Sequence, residues 1–212
     1  LWQWLGKDGD ANVFDTVITG TGQSGTTALN TTASEVLTHA QSLKITQQTS
    51  SAGGNVRARK YMPIPLGVTK FRASMTYRVM NDDADFVLIR FTCSVYDGTN
   101  YLGFFMEQYS NEGATELIEY GNSAGTRSDT TFAYPTDQGT GTFQWHTFVM
   151  EIDIAAVTYR KFAYDAEFNI TGIAGQTLAY NSYPCLFTEV QLNGKTTAIE
   201  MQVDSLIIEA LE

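Results

Sequence analysis

Residues 70–110 read KFRASMTYRVMNDDADFVLIRFTCSVYDGTNYLGFFMEQYS, three runs of alternating side chains separated by two turn signals. In the first, Phe71, Ala73, Met75, Tyr77 and Val79 alternate with Arg72, Ser74, Thr76 and Arg78. In the second, Val87, Ile89, Phe91, Cys93 and Val95 alternate with Leu88, Arg90, Thr92, Ser94 and Tyr96. In the third, Leu102, Phe104 and Met106 alternate with Tyr101, Gly103, Phe105, Glu107 and Tyr109. Successive side chains of a strand point to opposite faces, so each run has an apolar face and a mixed or polar one. Asn81-Asp82-Asp83 and Asp97-Gly98-Thr99-Asn100 are turn chemistry, the second a hairpin signal. The stretch predicts an antiparallel meander with one face in a core and the other open to water or a ligand.

The same signals recur along the chain. SLKITQQ and RARKYMPI precede the meander; Pro63 and Pro65 close the second of them, since proline cannot donate to a ladder. ELIEYG, TFAYP, FQWHTFVMEIDI, VTYRKFAYD, TLAYNS, CLFTEVQLNG and TAIEMQVDSLIIEAL follow. FDTVIT reads as a weak strand, and the Gly/Thr/Ser/Asn-rich residues 20–35 as a long surface loop. Only Glu35–Ala40 could make a helical turn. About a dozen short strands with turns every ~8–12 residues predict an all-β protein, a two-sheet antiparallel sandwich or jelly roll. A length of 212 residues, without internal repeat or linker, suits one domain over residues 14–212. Residues 1–13 form an N-terminal arm whose Trp2 and Trp4 need burial, as a strand pinned to a sheet edge or as a tail docked on a neighbouring subunit.

A formal charge of −10 argues against nucleic acid, because an acidic surface repels phosphate. No apolar run approaches the ~20 residues of a membrane helix. No signal-peptide pattern precedes the first strand, and the chain opens on Leu1, a start that a processed or a trimmed chain would share. Uncharged polar residues are plentiful and charged ones are 17%, a composition common in secreted and virion-surface β proteins. Cys93 falls on an apolar face and reads as a buried thiol; a bridge to Cys185 requires their strands to face each other across a sandwich. With His39 and His146 as the only histidines, a zinc site of the usual His/Cys type is excluded.

In Phe143–Ile154, His146, Phe148, Met150, Ile152 and Ile154 make a core face, so His146 reads as packed. Trp145, Thr147, Val149, Glu151 and Asp153 make the other face. Glu151-Ile152-Asp153-Ile154 resembles the opening of the catalytic motif of laminarinase-type glucanases, which needs a further Glu as acid/base. Ala155 and Ala156 stand where it should be, and no Gly-x-Ser-x-Gly elbow or Walker loop appears, so no enzyme activity is expected.

Ser42–Thr46 (SLKIT) followed by Gly67–Ser74 resembles the first half of jelly-roll carbohydrate-binding modules. WHTFVMEIDIAAVTYRKFAYD and MQVDSLIIEAL are similar to the closing strands of laminin-G-like or concanavalin A-like lectin domains. The resemblance implies sugar binding on one sheet's polar face, with aromatic rings under the pyranose and charged or amide groups on its hydroxyls. The outward positions of the alternation then supply Arg72, Arg78, Arg90, Tyr96, Tyr101, Glu107, Tyr109, Trp145 and Glu151. The plainer alternative is a solvated sheet face with cross-strand Arg–Glu pairs. Many such modules also hold a structural Ca²⁺, for which Asp15 and Asp204 are the carboxylates to try.

Two functions follow. One is a non-catalytic carbohydrate-binding module or lectin. The other is a virion structural protein, a capsid decoration or fibre-type protein, whose aromatic arm docks on other subunits in a homo-oligomer. Either places the chain outside the cell or on a virion surface, with a glycan or other protein subunits as partners.

Overall fold

The computed structural model describes residues 2–5, 14–19, 24–30, 37, 41–48, 55–64, 66–80, 86–109, 117–133, 144–168, 172–180, 182–194 and 198–212. Its strands are β1 (Trp2–Leu5), β2 (Asp15–Thr19), β3 (Ser24–Asn30), β4 (Ser42–Gln48), β5 (Asn55–Met62) and β6 (Lys70–Val79). Next come β7 (Phe86–Tyr96), β8 (Asn100–Gly103), β9 (Phe105–Tyr109), β10 (Leu117–Gly121), β11 (Arg127–Ala133) and β12 (His146–Asp153). The last are β13 (Thr158–Tyr164), β14 (Ala166–Phe168), β15 (Ile173–Ala174), β16 (Gln176–Ala179), β17 (Cys185–Gly194) and β18 (Ile199–Ala210). The helical turn expected at Glu35–Ala40 lies outside the described residues, Leu37 apart. Among the described residues no helix is long and apolar enough to cross a membrane.

The strands form two antiparallel sheets packed as a sandwich. The first runs β14-β13-β12-β6-β18-β4-β3, with β1 added to β18 and β15 to β13. The second runs β11-β10-β9-β7-β17-β5-β2, with β8 on β7 and β16 on β8. Period-two alternation puts one side of each strand between the sheets. Thus β12 alternates buried and half-buried along its whole length, with Phe148, Met150 and Ile152 fully inside. Phe71, Met75, Phe91, Met106, Val190 and Leu206 meet them from the other strands in one continuous core.

Two sheet-level expectations are corrected. The first two runs of the central stretch are not hairpin partners: β6 pairs with β12 and β18, whereas β7 pairs with β17, β8 and β9 in the other sheet. Alternation tells which side of a strand is buried, not which sheet it joins. The second hairpin does form, its turn held by the Asp97 carboxylate, which accepts from the Thr99 and Asn100 amides at 2.7 and 2.6 Å. Second, Ser24–Asn30, expected within a loop, is strand β3, paired with β4 along its full length. It is the last strand on its side of the path, where few apolar side chains are needed. Its Gly25 is required because a Cβ there would lie 2.3 Å from Val56.

Cys93 and Cys185 are free. They lie on adjacent strands of one sheet, with Cys93 opposite Thr188 and Cys185 opposite Tyr96, so the facing-strand condition for a bridge fails. The arm contributes β1, whose Trp2 and Trp4 pair through the backbone with Ile208 and Leu206. Their side chains are outside the described ones.

Candidate binding groove

The groove is built from the outward positions of β5, β7, β9 and β17. Because Val56, Ala58, Ile89, Phe91, Val190 and Leu192 point into the core, the residues between them point out. Register then aligns them in rows. Arg57 stands opposite Gln191, Gln191 opposite Arg90, and Arg90 opposite Glu107. One step along, Arg59 stands opposite Glu189, Glu189 opposite Thr92, and Thr92 opposite Phe105. These rows floor a groove of about 380 Å³, walled by Gln176, Leu178 and Tyr180 from the β16 side. That volume falls within the ~300–1,000 Å³ usual for ligand sites.

One end of the groove is aromatic. The Tyr96 ring lies 5.3 Å from Tyr101, 5.1 Å from Tyr180 and 5.5 Å from Phe187. Phe187 is also 5.6 Å from Tyr61. Tyr61 and Tyr180 are about half exposed, offering ring surface to a ligand. Burial, then the neighbouring phenols, push the Tyr96 hydroxyl up to about 12, so it stays a neutral donor.

The other end is charged. Arg59 donates from Nε to Glu189 at 2.6 Å and from Nη1 to the Tyr61 hydroxyl at 3.1 Å, with Nη2 also on Glu189. Arg57 donates from Nε to Asn55 Oδ1 at 2.7 Å, and its Nη1 lies 3.6 Å from Glu189 Oε1. Arg90 lies 4.2 Å above the Phe105 ring and donates from Nε to Glu107 Oε2 at 2.5 Å. Glu107, fully buried, also accepts from Arg127 Nε; two guanidiniums compensate the cost of taking its charge out of water. Glu119 stands directly opposite Glu107. Burial first, then its hydrogen bond to Glu107 and that residue's charge, push the Glu119 carboxyl up to about 7.

Phe105 is held from behind. Regular pairing of β9 with β10 ends at Met106 and Tyr120. Beyond it the hydroxyl of Tyr159, from β13 of the first sheet, accepts from the Phe105 amide at 3.0 Å and donates to the Gly121 carbonyl at 2.8 Å. Gly121 has no alternative there, since a Cβ would meet the Phe105 ring at 2.3 Å.

The structure divides the sequence-derived candidates between two faces on opposite sides of the sandwich. Arg90, Tyr96, Tyr101 and Glu107 belong to the groove side. Tyr109 lies on β9 opposite Leu88, its side chain outside the described ones. Arg72, Arg78 and Glu151 belong to the first sheet, and Trp145, just before β12, lies against Arg78, so a single polar face carrying all nine is corrected. Arg72 donates to Glu151 Oε1 from Nε at 3.1 Å and from Nη2 at 2.6 Å, a cross-strand ion pair. Arg78 donates from Nε to Gln202 at 2.9 Å and lies 4.8 Å from the Trp145 ring. His146 is buried, with Nδ1 2.6 Å from Asp165.

Asp15 and Asp204 do not meet either. Asp15 is exposed on β2 opposite Arg59, whereas Asp204 is buried in β18 of the other sheet. Among the described residues no group of three His, Cys, Asp or Glu could hold a metal ion. The groove residues that sequence reading missed are Arg57, Arg59, Phe187, Glu189 and Gln191. Their signal was the same alternation, in NVRARKYM and CLFTEVQLNG, read there for strands but not for faces.

No protein-family model and no curated protein sequence matches the chain. Solved structures similar to it include enzymes that act on carbohydrates and carbohydrate-binding modules. A carbohydrate esterase of the Shiga toxin-encoding bacteriophage phi24B is 14% identical, with a TM-score of 0.57, over 99% of this chain and 97% of that one. An endo-β-1,4-glucuronan lyase from the fungus Trichoderma reesei is 13% identical, with a TM-score of 0.57, over 99% and 95%. A chain from the carbohydrate-binding modules of the β-sandwich superfamily is 14% identical, with a TM-score of 0.46; the alignment covers 97% of this chain and 60% of that one.

Proposed function

We propose that the chain is a non-catalytic carbohydrate-binding domain that takes a glycan into the groove of the second sheet. The observation that carries this reading is the ring cluster of Tyr61, Tyr96, Tyr101, Tyr180 and Phe187 at one end of a floor of Arg57, Arg90 and Gln191. Rings supply flat apolar surface for a pyranose, and forked or amide donors fix its hydroxyls. The similar proteins that act on carbohydrates support the class of ligand. Non-catalytic action is supported by the groove's carboxylates, since Glu189 is held by Arg59 and Glu107 by Arg90 and Arg127. A glycan ligand fits a location outside the cell or on a virion surface.

Calorimetry against a panel of soluble polysaccharides tests the reading. Tyr96→Ala and Tyr180→Ala are expected to weaken binding at least tenfold, about 1.4 kcal/mol, while Arg72→Ala on the opposite face leaves it unchanged. Affinity lost in Arg72→Ala and kept in Tyr96→Ala would move the site to the first sheet. Release of reducing ends from a bound polysaccharide would make the chain an enzyme.

A second reading, assembly into a particle, is favoured by one end of the sandwich. There fully exposed Leu66 and Tyr183, 90% exposed, flank an apolar depression lined by Ile64, Val68 and Pro184. Light scattering that returns a multimer, reduced to one chain by Leu66→Ser, supports it.

A further inference from the structure

We infer that the groove selects sugar units bearing a carboxylate, uronates, and pairs their acid groups with Arg57 and Arg90. The inference rests on the glycan-binding reading. The charged side chains lining the groove are Arg57, Arg59, Arg90 and Glu189, an excess of guanidinium in a chain of formal charge −10.

These arginines are not equivalent. Arg59 spends Nε, Nη1 and Nη2 on Glu189 and Tyr61. Arg57 and Arg90 are each anchored through Nε, to Asn55 and to Glu107, with no hydrogen bond from Nη1 or Nη2 to the described residues. Their terminal nitrogens remain for a ligand. Glu189 serves Arg59 closely and reaches Arg57 only at 3.6 Å, so it neutralises one of the two. Both forks are oriented before any ligand arrives, Arg57 by Asn55 and Arg90 by Glu107 and the face of Phe105. A guanidinium fixed in this way loses little side-chain entropy on binding and matches a planar carboxylate with two parallel N–H donors.

Spacing adds a second constraint. Arg57 and Arg90 flank Gln191 in one row, so their backbones are two strand spacings apart, about 9.5 Å. Arg90 leans onto Glu107 and Phe105 of β9 while Arg57 stays by Asn55 and Glu189, so the two suit carboxylates of neighbouring units, one each. The Gln191 amide between them suits a ring hydroxyl, as donor or acceptor. The aromatic end lies along the same groove, so a chain anchored by its acid group lays its next ring against Tyr96 and Tyr180.

The test compares tetramers of glucuronate, galacturonate and mannuronate with their carboxyl-reduced counterparts, titrated into the intact chain. At least one acidic tetramer is expected to bind tenfold or more tightly than its reduced form. Arg57→Gln should abolish that difference, bringing the acidic tetramer down to the affinity of its reduced form; Arg57→Lys, which keeps the charge without the fork, should recover only part. Arg90→Lys keeps a cation beside Glu107, so it gives an independent reading if Arg57→Gln does not fold. Equal or tighter binding of every reduced form, or an acid preference that survives both arginine variants, overturns the inference and leaves the glycan reading standing. A sulfated tetramer that binds while the uronates do not also overturns it. If no acidic or neutral sugar binds, both readings fall.

Discussion

Glu107 and Glu119 face each other across the β9–β10 ladder, with Arg90 and Arg127 on the buried member of the pair. Because the Glu119 carboxyl is pushed up to about 7, the folded state holds its proton more tightly than the unfolded chain, whose ordinary value is 4.5. The sign follows from linkage: this contribution to stability is whole below about 4.5 and is lost as pH rises through about 7. Thermal melts should therefore show a melting temperature that falls between those limits, with Glu119→Gln flattening the slope. Gly121→Ala makes a second test at this scale. The added methyl would displace the Phe105 ring, removing the face on which Arg90 rests. Glycan affinity should drop several-fold by calorimetry. The outward placement of Arg90, Tyr96 and Tyr101 was legible in alternation alone. The burial of Glu107 was not, because it depends on Arg127, which arrives from a hairpin two strands away.

At the level of elements, alternation located β4, β5, β12 and β17 and gave their buried sides, since each carries enough apolar residues on one face. It could not assign β6 and β7 to different sheets, because both present the same pattern and only their pairing partners distinguish them. It also missed β3, where thriving as an outer strand requires little apolar content. The arm is an element with a testable role. β1 covers Ser205–Ile208 of β18, beyond the point where β4 stops at Val203. Deleting residues 1–5 would leave that length of β18 with unpaired amides and carbonyls, an edge prone to pair with another chain. The expected result is a lower melting temperature and concentration-dependent association in light scattering.

For the whole molecule, two sheets share one core, so truncating a side chain at its centre is costly anywhere. Phe91 is fully buried, and Phe91→Ala should cost about 3–5 kcal/mol in denaturant titration. The two thiols report on the same core. Burial raises both, with Cys93 fully enclosed and Cys185 half-buried. A thiol reagent followed by mass spectrometry should modify Cys185 alone in the native protein and both after denaturation. The groove lies on one outer surface, yet the Tyr159 hydroxyl that supports Phe105 belongs to the sheet behind it. Tyr159→Phe would orphan the Phe105 amide and the Gly121 carbonyl, at about 1–3 kcal/mol for a buried unpaired group. The wild-type arrangement makes a single phenol a mechanical link through the thickness of the protein. A ligand pressing on the Phe105 ring would change the magnetic environment of an amide proton whose acceptor is rooted in the far layer, so occupancy on the front should be readable by NMR from resonances at the back.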